Sequence, residues 1–314
     1  MKVQWVKYKD YAGAKAIGNT KYAPSEPFGP WTKIMGVVAR SEGNHDTFIS
    51  YDETGVTWGF LQWTMKSGRL QRLLESMKSI PYYDFENEIP ATDESQEFTL
   101  FDHICCNGNG KQIFQKYDFS IQGGSFVSFK HGPLNPSKPK ERKLIVDTCM
   151  GRTTYPSSKT KQKEFAISLA KEFCNMGKKF GVAEAQIDFA KSEFKRNMTY
   201  TRKNMPKYGS IGNMLDGTWD TPLPALFFNL WQNGPTMAQK IFDKNVIAKD
   251  KNLEPNFVFD KMWKKICLSR YANWGWNSKL YLNGQVSKPR VVRIHKAIKE
   301  FYGFDLPLHK RGLK

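Results

Sequence analysis

The hydrophobic period changes between Trp31 and Trp63, and that change constrains the fold more than any other feature of the chain. Trp31, Ile34, Met35 and Val38 recur at i, i+3, i+4 and i+7, the spacing of one buried helical face. The predicted helix, Trp31–Glu42, follows Ala23-Pro24-Ser25-Glu26-Pro27-Phe28-Gly29-Pro30, a run that holds the backbone out of helix. Gly43 is read as the residue that ends it. The chain then shifts to aromatic and β-branched runs, Phe48-Ile49-Ser50-Tyr51 and Val56 through Trp63, around Asp52-Glu53-Thr54-Gly55. That pattern predicts a β-hairpin.

A second helix is expected from Gly68 to Ile80, with Leu70, Leu73, Leu74 and Met77 on one face and Pro81 at its end. Residues 82–160 are poorly periodic: an acidic stretch, two Gly-rich stretches and the basic, Pro-rich HGPLNPSKPKERK read as a loop-rich basic insertion with short strands. Helical patterns return at about 161–177, 183–197, 222–245 with a break at Gly234-Pro235, 257–273 and 288–303. The fold class expected is α+β, predominantly α-helical, with one small hairpin beside the first helix and a helical C-terminal lobe. Residues 1–30 read as an N-terminal arm or linker, and residues 31–314 as one domain.

At 314 residues the chain buries enough apolar surface to need no staples. Its five cysteines, Cys105, Cys106, Cys149, Cys174 and Cys267, lack the spacing of a disulfide scaffold or zinc ribbon, so reduced thiols are expected. The five histidines are scattered; His103-Ile104-Cys105 is the one close His/Cys pairing, and no metal site or cofactor is expected. The N-terminus lacks the apolar run of an export signal, and no 18-residue apolar stretch suggests a membrane span, so a soluble protein is expected. Lys and Arg number 48 against 30 Asp and Glu, a formal charge of +18. That balance calls for a polyanionic partner: nucleic acid, an anionic membrane surface or the bacterial wall.

Hydrolysis of a glycosidic bond needs one carboxylic acid to protonate the leaving oxygen and a second carboxylate to activate water or attack the anomeric carbon. Glu42 suits the first role, because burial and the negative end of a helix dipole both favour its protonated form. Asp52 falls at the hairpin turn, where folding back would carry its carboxylate toward the helix end; Asp46 and Glu53 are its rivals. Thr57 lies on the returning strand, where alternation puts Thr57, Gly59 and Leu61 on one face. Gly59, without a side chain, leaves room for a sugar or another backbone to approach beside the Thr57 hydroxyl. Trp58, Trp63 and Trp231, with Gln62, complete the candidate substrate contacts, since aromatic faces stack on pyranose rings.

Glu42-Gly43 followed by Asp52, Gly55, Thr57 and Gly59 resembles the catalytic signature of phage-type lysozymes. The resemblance implies Glu42 as general acid, with Asp52 and Thr57 positioning the attacking water. The chain departs from that signature by one additional residue between Glu42 and Asp52, while the Glu-to-Thr spacing is kept. Asp52–Gly68, DETGVTWGFLQWTMKSG, is also similar to bacterial chitosanases of the same lysozyme-like fold. The similarity covers roughly residues 31–75; farther on, the segment from Ala225 to Ala238 loosely resembles the C-terminal lobe of lysozymes.

The function this implies is a peptidoglycan muramidase of the endolysin type, made without a signal in a host cytoplasm and acting at the cell wall after release or delivery from a virion. A chitosanase ranks lower, because a strongly basic protein suits cationic chitosan poorly. A lytic transglycosylase would use the same Glu without a water-activating Asp. The alternative outside enzymes is a basic virion or nucleic-acid-binding protein on a lysozyme scaffold.

Overall fold

The computed structural model of the chain describes residues 2–8, 11–24, 27, 29–51, 54–82, 98–204, 221–233, 260, 263–264, 280–282, 285–287 and 289–305. It is an α+β structure of two compact units, Met1–Tyr22 with Gly43–Phe189, and Ala23–Glu42 with Ala190–Lys314. Neither unit is continuous in sequence.

The first unit is built on an antiparallel five-stranded sheet in sequence order: β1 (Lys2–Tyr8), β2 (Tyr11–Ile17), β3 (Phe48–Ile49), β4 (Thr57–Trp58) and β5 (Trp63–Thr64). Residues 2–17, expected as part of an arm, instead form a hairpin with Lys2 opposite Ile17 and Tyr8 opposite Tyr11. That hairpin joins the sheet through Lys15 opposite Ile49 and Ala16 opposite Phe48. Ala14 and Ala16 are fully buried, and side chains this small let α5 (Lys159–Met176) pack on β2. Gly13 is needed for a similar reason, since a Cβ there would lie 2.3 Å from the Ser50 carbonyl oxygen.

Phe173 of α5 is the hub of this core. Its ring lies 5.3 Å from Phe48, 5.6 Å from Trp58 and 5.2 Å from Phe114. Burial of a ring of this size contributes about 2–3 kcal/mol. The expected second helix forms as α2 (Arg69–Ser76), continued by a 3-10 turn through Ser79, with Leu70, Leu73, Leu74 and Met77 buried.

The described part of the 82–160 insertion is more ordered than a loop region. It contains α3 (Leu100–Cys105), a 3-10 helix at Ile113–Tyr117, and a three-stranded antiparallel sheet of β6 (Phe119–Gln122), β7 (Ser125–Ser128) and β8 (Gly132–Leu134). Helix α4 (Pro139–Cys149) follows, started by a proline that has no N–H to lose. Alternation on β6 and β7 buries Phe119, Ile121 and Phe126, with the Phe119 and Phe126 rings stacked at 4.7 Å. Helix α6 (Val182–Asn204) runs from this unit into the second.

In the second unit, α1 (Pro30–Glu42) packs against α7 (Leu223–Asn233) and α8 (Pro289–Tyr302). The stripe read from sequence is the packed face: Ile34, Met35 and Val38 are buried, and Trp31 lies against Phe194 and Phe228 at 5.8 and 5.6 Å. Gly36 makes room for Phe301, whose ring would stand 2.3 Å from a Cβ at that position. Arg40 and Glu300 form a two-pronged ion pair at 2.7 and 3.1 Å, part-exposed and therefore a minor stabiliser. A short two-stranded sheet, β9 (Leu280–Leu282) and β10 (Gln285–Ser287), precedes α8. The Gly234-Pro235 break and most of the helix expected at 257–273 lie outside the described residues. Among the described residues no helix is long and apolar enough to cross a membrane.

Candidate functional site

Glu42 is the last residue of α1 and is half-buried. The turn that carries it is fixed from the residue before: Ser41 Oγ donates to the Val38 carbonyl at 2.8 Å and accepts from Asn229 Nδ2 of α7. Both side chains are buried, so the bond fastens the end of α1 within its unit. Gly43 ends the helix without the left-handed backbone of a Gly cap. Its small size is required instead by close approach, since a Cβ would lie 2.9 Å from Gln62 Nε2 and 3.2 Å from Thr47.

Asp52, expected at the hairpin turn, and its rival Glu53 lie outside the described residues. Thr57 is on β4, opposite Ile49 of β3 and Thr64 of β5. It is buried, and its Oγ1 lies 2.9 Å from Thr54 Oγ1, which ties the strand to the end of the turn.

The strand expected over Val56–Trp63 stops after Trp58. Gly59 at φ 83° and Gln62 at φ 54° reverse the chain, the Gln62 N–H donates to the Gly59 carbonyl at 3.1 Å, and β5 begins at Trp63. Alternation therefore fails beyond Trp58, and Phe60 and Leu61 are both buried. The space left by Gly59 is not open to a sugar. A Cβ there would meet the Trp63 ring at 2.6 Å and Gln186 Oε1 at 2.9 Å.

Trp58 and Trp63, expected as substrate platforms, are fully buried and present no face to a ligand in this conformation. Gln62 is half-buried and closes the turn with its side chain, Nε2 donating to the Gly59 carbonyl at 3.0 Å. Trp231, in the second unit, is 6% exposed and packs on Phe227 at 5.5 Å. Asp46, the other rival to Asp52, is fully buried and accepts from the backbone N–H groups of Asn19 and Thr20 and from Thr20 Oγ1, all at 3.1–3.2 Å. That coordination makes it a pin for the segment after β2, with no surface left for chemistry.

Sequence reasoning missed the polar cluster beside that pin. His45 and Gln186 are both fully buried and bonded to one another, and the Gln186 oxygen also receives the Phe60 N–H at 3.4 Å. Tyr22 and Phe60 enclose the imidazole, with Phe60 edge-on at 4.8 Å. No local signal links His45 to a glutamine so far along the chain. Among the described residues no group of three His, Cys, Asp or Glu is arranged to hold a metal, and Cys105, Cys106, Cys149 and Cys174 are free thiols. No family model, curated protein or solved structure matches the chain.

Proposed function

We propose that the chain is a lysozyme-like glycoside hydrolase that cleaves the glycan strands of bacterial peptidoglycan. The observation that supports this reading is an order of elements: α1 ends on Glu42, and the hairpin that follows returns through Thr57, paired with Ile49. In the proposed reaction Glu42 protonates the glycosidic oxygen as the bond to the anomeric carbon breaks. Asp52 and Thr57 orient the water that completes hydrolysis. The formal charge of +18 supports an anionic wall as the surface on which the protein works.

The test is turbidity loss of a cell-wall suspension together with mass analysis of the released glycans, run on wild type and Glu42→Gln. Hydrolysis should yield reducing ends, and Glu42→Gln should lower the rate by at least about a hundredfold while melting as wild type does. Lysis by a folded Glu42→Gln variant excludes the assignment. Anhydro products together with a tolerant Asp52→Asn variant would move the chain to lytic transglycosylase chemistry. Chitosan cleavage with intact peptidoglycan would make it a chitosanase, and salt-sensitive DNA binding without lysis would favour a non-catalytic role.

A further inference from the structure

Strand β1 ends the five-stranded sheet, so one of its two backbone edges faces β2 and the other faces away. The residues that point away follow from the strand beside it. Ala14 of β2 lies opposite Trp5. Its carbonyl accepts from the Ser50 N–H at 2.9 Å, and its own N–H donates to Ser50 Oγ at 3.1 Å, both on the side of β3. A residue in an antiparallel strand sends its N–H and C=O to one side, so Ala14 turns away from β1 and Trp5 turns away from β2. Alternation gives Val3 and Lys7 the same outward direction, while Gln4 and Val6 pair inward with Lys15 and Gly13. The outward N–H and C=O groups of Val3, Trp5 and Lys7 have no partner among the described residues.

An open edge is a template for another strand, and folded proteins commonly blunt it by shortening it or by adding a bulge or a proline. Strand β1 has none of these. It runs seven residues, from Lys2 to Tyr8, in unbroken register with β2, and contains no proline.

Its sequence, KVQWVKY, fits a second copy of itself. Antiparallel pairing about a two-fold axis at Trp5 sets Val3 of one copy against Lys7 of the other, Gln4 against Val6, Lys2 against Tyr8, and Trp5 against Trp5. No lysine then faces a lysine, and every outward N–H and C=O of Val3, Trp5 and Lys7 meets a complementary group. Parallel pairing in register would instead set Lys2 against Lys2 and Lys7 against Lys7, a repulsive arrangement. Trp5 is half-buried within one chain. Two-fold pairing places the two tryptophans side by side on one face, where cross-strand aromatic pairs stabilise a sheet.

We propose that β1 is a self-docking edge, through which two copies of the chain pair antiparallel and join their sheets into one. The contact is small, so the dimer is of the weak, reversible kind. Each copy carries a formal charge of +18, and their mutual repulsion opposes pairing until salt screens it. Salt should therefore tighten this contact, the opposite of its effect on binding to a polyanion.

The experiment combines sedimentation equilibrium with amide hydrogen exchange on the full chain, from about 1 μM to about 1 mM protein. Mass should rise with concentration from 36.2 kDa toward twice that value. Amides of Val3, Trp5 and Lys7 should be protected only in concentrated protein, whereas those of Gln4 and Val6 are protected throughout by β2. Raising salt from about 0.05 M to about 0.5 M should lower the dissociation constant severalfold. Val3→Pro removes an outward N–H that β2 does not use, and Trp5→Lys sets two like charges together at the axis. Each should raise the dissociation constant by at least about tenfold. A monomer at every concentration, a dimer in which those three amides stay unprotected, or a dimer that either variant leaves unchanged overturns the proposal. Protection of the three amides in dilute protein by a synthetic peptide of alternating glutamate and valine, with no self-association, would give the edge to an acidic partner instead.

Discussion

Gln186 holds His45 at two points: its Oε1 lies 2.9 Å from His45 Nδ1, and its Nε2 donates to the His45 carbonyl at 3.0 Å. Because the amide oxygen only accepts, Nδ1 carries the proton. Nε2 of the same ring is buried with no partner among the described residues. The cluster is thus built for a neutral imidazole.

Acid should destabilise the first unit through this residue. Burial lowers the His45 pKa from 6.5 to about 4, against smaller opposing effects of the Gln186 hydrogen bond and the nearby Asp46 and Glu184 charges. Between those two values the unfolded chain binds the extra proton and the folded chain does not. Stability is therefore complete above pH 6.5 and falls as pH drops toward 4, by about 3 kcal/mol in all. Urea midpoints measured from about pH 7 to pH 4 should show the slope. His45→Gln should flatten it; an equal slope in that variant would assign the effect elsewhere.

Gly59→Ala should cost about 2–4 kcal/mol, because backbone strain at φ 83° adds to a clash with Trp63 and Gln186. Gly123→Ala isolates the first of these contributions. Its φ is 52° and nothing lies within 4 Å of the added methyl, so about 1 kcal/mol is expected. Equilibrium unfolding of both variants checks the difference, and equal losses would mean that the space beside Gly59 is open after all.

Asp46→Asn separates a pin from a catalyst. An asparagine oxygen cannot replace both carboxylate oxygens that accept from Asn19 and Thr20, so a loss of about 2–3 kcal/mol is expected. Wall lysis assayed below the melting temperature should persist. A variant as stable as wild type but inactive would transfer the second carboxylate's role to Asp46.

Ser41→Ala should loosen the end of α1. It removes the hydroxyl that accepts from Asn229 Nδ2, at a cost of about 1–3 kcal/mol. Hydrogen exchange at the amides of Val37, Val38 and Ala39 should speed up, while amides of α5 keep their rates. Protection unchanged along α1 would show that its end is held by other contacts.

Helices α1 and α2 were legible because their apolar residues repeat at helical spacing. The face of α1 carrying Ile34, Met35 and Val38, and the face of α2 carrying Leu70, Leu73 and Leu74, are buried as read. The hairpin of β1 and β2 was not. Its buried β2 positions are Ala14 and Ala16, which have little strand preference and owe their burial to α5. At the candidate site, the sequence placed Glu42 at a helix end and Thr57 on a returning strand. It could not reveal what fills the space beside Gly59, because Gln186 arrives from another element. The tryptophans misled for a related reason: composition alone does not separate a ring that meets sugar from one that meets Phe173.

The split of the second unit into two sequence segments sets an order on its assembly. Helix α1 leaves the ribosome with Ile34, Met35, Val37 and Val38 ready to pack, but α7 begins only at Leu223 and α8 at Pro289. At ordinary rates of synthesis α1 waits roughly 10–40 s for α7. Throughout that interval the face of α1 lacks the partners that α7 and α8 give it in the finished protein. Replacing the buried face would harm the finished protein, so the order of synthesis, and not the composition of α1, sets how long that face stays uncovered.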